Sequence, residues 1–386
     1  MKERFSFGQN WQRFLHKDFS EEKVARSCDG LCAMLGLTSL KGMSFLDIGC
    51  GSGLSSLAAL RLGAERVVSF DYDEQSVDAA RTLHAYAGAP SNWSISRGDA
   101  LDQERLRTLD PFDIVYSWGV LHHTGDMNRA IANSTIPLRK DGLLLLALYS
   151  LTAYQNGVAF GQPSPEEWLG IKQRYYRAAR PVQHWMMLQY LWRRYFSNAH
   201  WRPHALARGA RELYTRWKDY QSGQRGMSFF TDIHDWLGGW PMEYVHESEL
   251  QRRMETEFGM EILRMETGRG NTQFLFRNAG ASNGWDALLA SRTTSPLPGP
   301  YRQVDTLVWL ASPPCVAPSD DHRWLCSRLR LREDTLQLPY AHAPYEALRR
   351  FGSGRYLHKN DGVYFSTTDN TDPNRNGRGY TFYLDV

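Results

Sequence analysis

Two kinds of chemistry-bearing cluster stand out in the 386-residue chain. The first is Asp47-Ile48-Gly49-Cys50-Gly51-Ser52-Gly53, with three glycines at alternate positions. That spacing lets backbone take positive φ and approach a ligand. A helix opening directly after it aims its amide end into the same crevice. Asp71 lies 24 residues after Asp47, and a carboxylate there can accept hydrogen bonds from ribose hydroxyls. The second kind combines imidazole and carboxylate. His122 and His123 are adjacent, and Asp232, His234 and Asp235 fall within four residues, flanked by Trp236 and Trp240. A neutral imidazole can remove a proton from a hydroxyl. Asp232 is expected to orient His234 for that role. The carboxylates can instead bind sugar hydroxyls, with Trp236 or Trp240 stacking on the ring. They can also ligate a bivalent metal with His234, or serve only as caps and turns. The expectation adopted is a site without metal.

The elements that must position these residues alternate. Ser44–Ile48, 67–71, 93–96, 112–117 and 142–149 read as strands, with helices from Leu54 and from about Glu74 between the first three. Continuous apolar strands alternating with helices imply a parallel sheet covered on both faces. Residues 1–42 read as an N-terminal helical segment, with Asp18 and Glu21 as a capping pair for a helix to about Leu35. Residues 43–150 form the nucleotide-binding core. Residues 151–258 read as a helical lid and substrate-recognition insertion: Ser164-Pro165-Glu166-Glu167 opens a helix, 165–222 continues helical, and 226–245 reads as an ordered loop. Strands return in 259–280, a linker occupies 281–300, and 301–386 reads as a small β-rich module.

The Asp-x-Gly-x-Gly-x-Gly form resembles the first motif of class I S-adenosylmethionine-dependent methyltransferases. The similarity covers residues 43–150 and, more loosely, 260–278. Trp118-Gly119-Val120-Leu121-His122-His123 is most similar to the ubiquinone-pathway and related O-methyltransferases. Phe7-Gly8-Gln9-Asn10-Trp11 is similar to a segment that folds over the cofactor in bacterial members. The resemblance implies a Rossmann-like, seven-stranded α/β core with a helical insertion after strand five and a β-rich C-terminal addition. It implies S-adenosyl-L-methionine as cofactor, held by Asp47, Gly49, Gly51, Gly53, Asp71, Tyr72, Asp99, Ala100, Trp118 and Trp11. Methyl transfer is an in-line displacement that needs alignment and exclusion of water. A hydroxyl nucleophile also needs a base, and His123, His122 and His234 are the candidates.

The chain carries 45 basic and 42 acidic side chains, a net +3. That balance argues against a dedicated nucleic-acid binder. The distribution is uneven, because residues 171–225 hold twelve basic and two acidic residues with eleven aromatics. That stretch is +10 and the remainder −7. A basic, Trp-bearing helix suits an anionic membrane surface or a phosphate-bearing substrate. RNA is the third option and the least favoured. The five cysteines are sparse, with no zinc spacing, as in a reducing cytosol. No signal-peptide core or bilayer-length apolar run is seen, so a cytoplasmic protein, peripheral to the membrane at most, is expected. The 369–377 stretch fits turn chemistry better than a calcium loop, since position twelve is Tyr383. The Tyr356–Arg378 region is similar to segments of bacterial surface-polysaccharide enzymes. The expected reaction is therefore O-methylation of a sugar in a surface glycan or its lipid- or nucleotide-linked precursor. Methylation of a quinone or other small aromatic, and of RNA, are the alternatives.

Overall fold

The computed structural model describes residues 4–158, 162–196, 203–221, 229–267, 270–278, 294–312, 319–320 and 327–384. Residues 281–293 of the expected linker, the 226–228 start of the Gly- and Trp-rich stretch, Cys315 and Cys326 lie outside the described residues.

Seven strands form one sheet. They are β1 (Ser44–Ile48), β2 (Arg66–Asp71), β3 (Trp93–Arg97), β4 (Phe112–Trp118), β5 (Leu138–Leu148), β6 (Met260–Thr267) and β7 (Thr272–Asn278). Their order is β3-β2-β1-β4-β5-β7-β6. Neighbours among β3, β2, β1 and β4 are parallel, and β6 with β7 is antiparallel. This is the expected Rossmann-like arrangement. Every residue of β1 is buried, as a central strand covered on both faces requires. The chain runs outward through β2 and β3, then returns to the other side of β1 with β4. The crevice at that reversal, beyond the carboxyl ends of β1 and β4, is where open α/β sheets take ligands. The glycine loop follows β1 and the His122–His123 pair follows β4.

Helices α1 (Gly8–Lys17) and α2 (Glu21–Leu35) precede the sheet. Asp18 ends α1 rather than capping α2, whose N-cap is Ser20. The helix expected to end near Leu35 is α2, with α1 preceding it. Next come α3 (Leu54–Arg61), α4 (Glu74–Tyr86), α5 (Gln103–Arg107), a 3-10 turn at Leu121–His123 and α6 (Met127–Ser134). The insertion after β5 holds α7 (Leu151–Val158), α8 (Pro165–Arg177), α9 (Arg180–Tyr195), α10 (Pro203–Gln221) and α11 (Phe229–Gly238). The last of these corrects the loop expected at 226–245. Phe229, Ile233 and Leu237 are buried at helical spacing, an apolar stripe that outweighs the nearby glycines and tryptophans. Helix α12 (Glu247–Phe258) leads to β6.

Two compact units emerge: Met1–Leu145 with Glu166–Glu243, and Leu146–Pro165 with Tyr244–Val386. The second contains the expected β-rich addition, as two four-stranded sheets. Its core includes Trp309, Leu329, Leu331, Tyr356, Phe365 and Phe382. The 369–377 stretch is turn chemistry, with Asp369 and Asp372 each accepting from backbone two residues on. Within this unit Arg355 is fully buried. It donates to Asn156 Oδ1 at 2.6 Å, Gln155 Oε1 at 2.8 Å and the Gly352 carbonyl at 2.8 Å. Glu247, also buried, lies close enough to stabilise its charge. Arg355→Leu would leave Glu247 and the amide acceptors uncompensated. We expect it to destabilise the unit by about 3–5 kcal/mol, read as a lower denaturation midpoint.

Candidate active site

The glycine loop is built to hold backbone outward. Gly49, Gly51 and Gly53 all have positive φ, between +54° and +79°. Gly49 and Cys50 amides donate to the Phe70 carbonyl at the end of β2, at 2.8 and 3.1 Å. Beneath the loop, Asp47 is buried and accepts from Ser56 Oγ at 2.6 Å. Ser56 also bonds Ser69, which accepts from Trp93 Nε1 at 2.8 Å. Asp47 thus braces the loop from below, and burial pushes its carboxyl up to about 7. Asp71 reaches the loop from the side. Its Oδ2 accepts from the Gly51 amide at 3.0 Å and its Oδ1 from the Asp73 amide at 2.9 Å. Burial, only partly offset by these bonds, raises it to about 6.

The N-terminal segment lies across this crevice. A Cβ at Gly51 would sit 2.8 Å from the Trp11 ring, so any other residue would displace α1. Gly8 N and Ser6 Oγ donate to Asp73, at 2.9 and 2.7 Å, while Asp73 also caps α4. Arg4 bonds Asp99 at 3.1 Å and stands 4.2 Å above the Tyr72 ring. It therefore links two of the residues that the resemblance gives to the cofactor. Asp99 also accepts from the Leu101 amide. Ala100 is buried, its carbonyl accepting from Asn133. Trp118, at the end of β4, is partly exposed and parallel to Tyr116.

The histidine pair follows β4. The rings of His122 and His123 are 4.3 Å apart and both are buried. His123 Nδ1 lies 2.8 Å from the Pro241 carbonyl. A carbonyl only accepts, so Nδ1 carries the proton and Nε2 the lone pair. Burial, with Lys172 nearby, lowers His123 to about 3; His122 is also held well below the ordinary range by burial, then by His123 and Lys172. Both are therefore neutral at working pH. Phe7 packs 5.3 Å from the His123 ring.

The Asp232–Trp240 constellation is distributed by α11 onto different faces. Residues two apart on a helix diverge by about 200°. Asp232 consequently accepts from Tyr220, and His234 pairs with the Tyr175 hydroxyl at 2.6 Å. The expected Asp232–His234 relay is corrected on this ground. Asp235 turns inward and accepts from Asn10, and burial raises its carboxyl well above the usual range. Trp236 packs edge-on against Trp168, centroids 5.5 Å apart, and the Trp240 carbonyl accepts from Phe5 N at 2.8 Å. Asp235 and Trp240 thus tie α11 and the turn after it to the N-terminal segment, and Trp236 ties α11 to α8; none of the three lines the adjacent cleft. Among the described residues no group of three His, Cys, Asp or Glu is placed to hold a metal.

Lys172 and Tyr175 are the residues sequence reasoning missed. Lys172 is fully buried, donates to the Trp236 carbonyl, and is lowered to about 7 by burial. The signal was available: Trp168, Lys172 and Tyr175 share one buried face of α8. A lysine on such a face is rare.

A family profile described as "Methyltransferase domain" matches residues 45–142. The ubiquinone biosynthesis O-methyltransferase of Sinorhizobium fredii is 31% identical over 179 residues, which span 44% of this chain and 69% of that protein. The enzyme of the same name from Rhizobium rhizogenes is 31% identical over 178 residues, covering 44% and 68%. Among solved structures, PKMT2 of Rickettsia typhi with AdoHcy aligns with a TM-score of 0.45 at 13% identity, over 78% of this chain and 60% of that one. The chain belongs to the class I S-adenosylmethionine-dependent methyltransferases. It is an enzyme whose methyl donor is S-adenosylmethionine. The residues present fit that donor: a positive-φ glycine cradle that a Cβ would fill, and a carboxylate at the end of β2.

Proposed function

We propose that the chain methylates a hydroxyl oxygen, with His123 as the base. The observation that carries this reading is the Nδ1 bond to Pro241, which presents a lone pair at Nε2. When bound, S-adenosylmethionine supplies an electrophilic methyl group on a sulfonium. Gly49, Gly51 and Gly53 would hold its backbone-facing side, and Asp71 its ribose. Tyr72, Asp99, Ala100, Trp118 and Trp11 are proposed as the remaining walls. His123 would take the acceptor's proton as the acceptor oxygen bonds the methyl carbon and the donor's carbon–sulfur bond breaks to leave a neutral thioether. The N-terminal segment excludes water.

A base lowered to about 3 is weak, which bears on the acceptor. A phenol, at about 10, is a far stronger acid than an aliphatic alcohol. The proposal is therefore an aromatic hydroxyl, as the names of the curated relatives also suggest. The sugar hydroxyl expected from the tail motifs is the second reading. Labelled methyl transfer to catechols and to free and nucleotide-linked sugars, at equal concentration, separates the two. The expected product is an aryl methyl ether; a sugar ether alone would overturn the aromatic reading.

We also propose peripheral contact with an anionic membrane through α9. Val182, Trp185, Leu188 and Trp192 form an exposed stripe on it, Trp185 at 59% and Leu188 at 61% exposure, with Arg193 alongside. Among the described residues no helix is long and apolar enough to cross a bilayer. Vesicles rich in phosphatidylglycerol should sediment the protein and neutral vesicles should not. Trp185→Ser with Leu188→Ser should weaken binding at least tenfold, since burying each side chain contributes about 1.5–3 kcal/mol. Equal binding to both vesicle types would remove the electrostatic part of this proposal.

A further inference from the structure

A cleft of about 420 Å³ opens where the N-terminal segment, α8, α9 and α11 meet. Its size suits a small-molecule ligand. The floor carries Tyr175, His234 and Asn10, and the rim carries Arg13, Arg180 and His184. Among the described residues no acidic side chain lines it. Among the described residues neither the Arg13 nor the Arg180 guanidinium is paired with a carboxylate, although the chain as a whole is nearly balanced in charge. The other carboxylates of this region are engaged elsewhere: Asp232 by Tyr220 and Asp235 by Asn10. Two packed rings stand between the cleft and the histidine pair. Phe5 lines the cleft and packs 4.9 Å from Phe7, which packs 5.3 Å from His123.

We infer that this cleft binds an anionic group of the acceptor, a phosphate or a carboxylate, in the guanidinium forks of Arg13 and Arg180. The inference rests on the methyltransferase site proposed above and adds the acceptor's chemical class. Planar guanidinium groups match both anions bidentately. His184 lines the same rim. His234, its Nδ1 engaged by the Tyr175 hydroxyl, lines the cleft beside them. The aromatic side of the cleft, Phe5 with Phe230, covers the apolar body of the same acceptor.

The test uses the full chain saturated with S-adenosylhomocysteine and calorimetric titration at fixed ionic strength. Inorganic pyrophosphate is one probe and malonate the other; the tighter of the two identifies the source of the anion. Saturable binding is expected for at least one. Arg180→Gln and Arg13→Gln should each weaken it at least tenfold while leaving S-adenosylhomocysteine affinity unchanged. Arg208→Gln, an exposed basic residue of α10 outside the cleft, should bind like the parent. Absence of saturation by either probe overturns the inference, and so does an equal loss in Arg208→Gln. Failure to bind S-adenosylhomocysteine at the outset would instead remove the site reading on which the inference stands.

Discussion

His123→Ala is expected to lower methyl transfer by about two to four orders of magnitude, the span of a lost general base, while S-adenosylhomocysteine affinity stays within about twofold. His123 sits just past β4, and its proton is committed to Pro241 at 2.8 Å. Because burial and Lys172 hold it near 3, Nε2 remains an acceptor throughout the neutral range. The wild-type rate should therefore show no loss from protonation of this ring until the pH is well below 5. His123→Gln keeps a polar side chain without a comparable base and should stay impaired. Steady-state rates with paired calorimetry separate this outcome from misfolding. An active His123→Ala would move the base to His234, whose Nδ1 is held by Tyr175, or remove an imidazole base altogether.

The second large effect is on the donor. Asp71→Ala removes the carboxylate that faces both the loop and the expected ribose. Hydrogen bonds to charged groups contribute about 1.5–3 kcal/mol each. Two of them correspond to roughly two to four orders of magnitude in affinity. The pH dependence has a definite sign. Asp71 is raised to about 6 by burial, and only its ionised form accepts two ribose hydroxyls. Affinity should fall as pH drops through 6, approaching tenfold per unit. Asp71→Asn should bind weakly with a flat profile. For the free protein the raised value means that this group's contribution to stability is greatest below about 4 and is lost as pH rises through 6.

The parts of the molecule legible in the sequence were those fixed by local rules. The glycine loop announced itself because no other residue takes φ near +54° beside the Trp11 ring. The strands read clearly because central β1 is buried on both faces and carries Phe45, Leu46 and Ile48 in a short run. What escaped was set by side chains distant in sequence. Asp235 and Asn10 meet across 225 residues, so a carboxylate that reads as a substrate contact is already occupied by an amide. Asp47 looked like a ligand contact, yet Ser56, nine residues on, turns it under the loop. Lys172 reads as one of twelve charges in a basic insertion, because its partner, the Trp236 carbonyl, is 64 residues away. Arg4 was invisible for the same reason, since its partner Asp99 is 95 residues away.

The most direct test is a crystal structure of the chain with S-adenosylhomocysteine. The account predicts ribose hydroxyls on Asp71, the glycine loop against the ligand, and the ligand's sulfur on the side of His123. A ligand bound elsewhere, or its sulfur turned away from the His122–His123 turn, would contradict it.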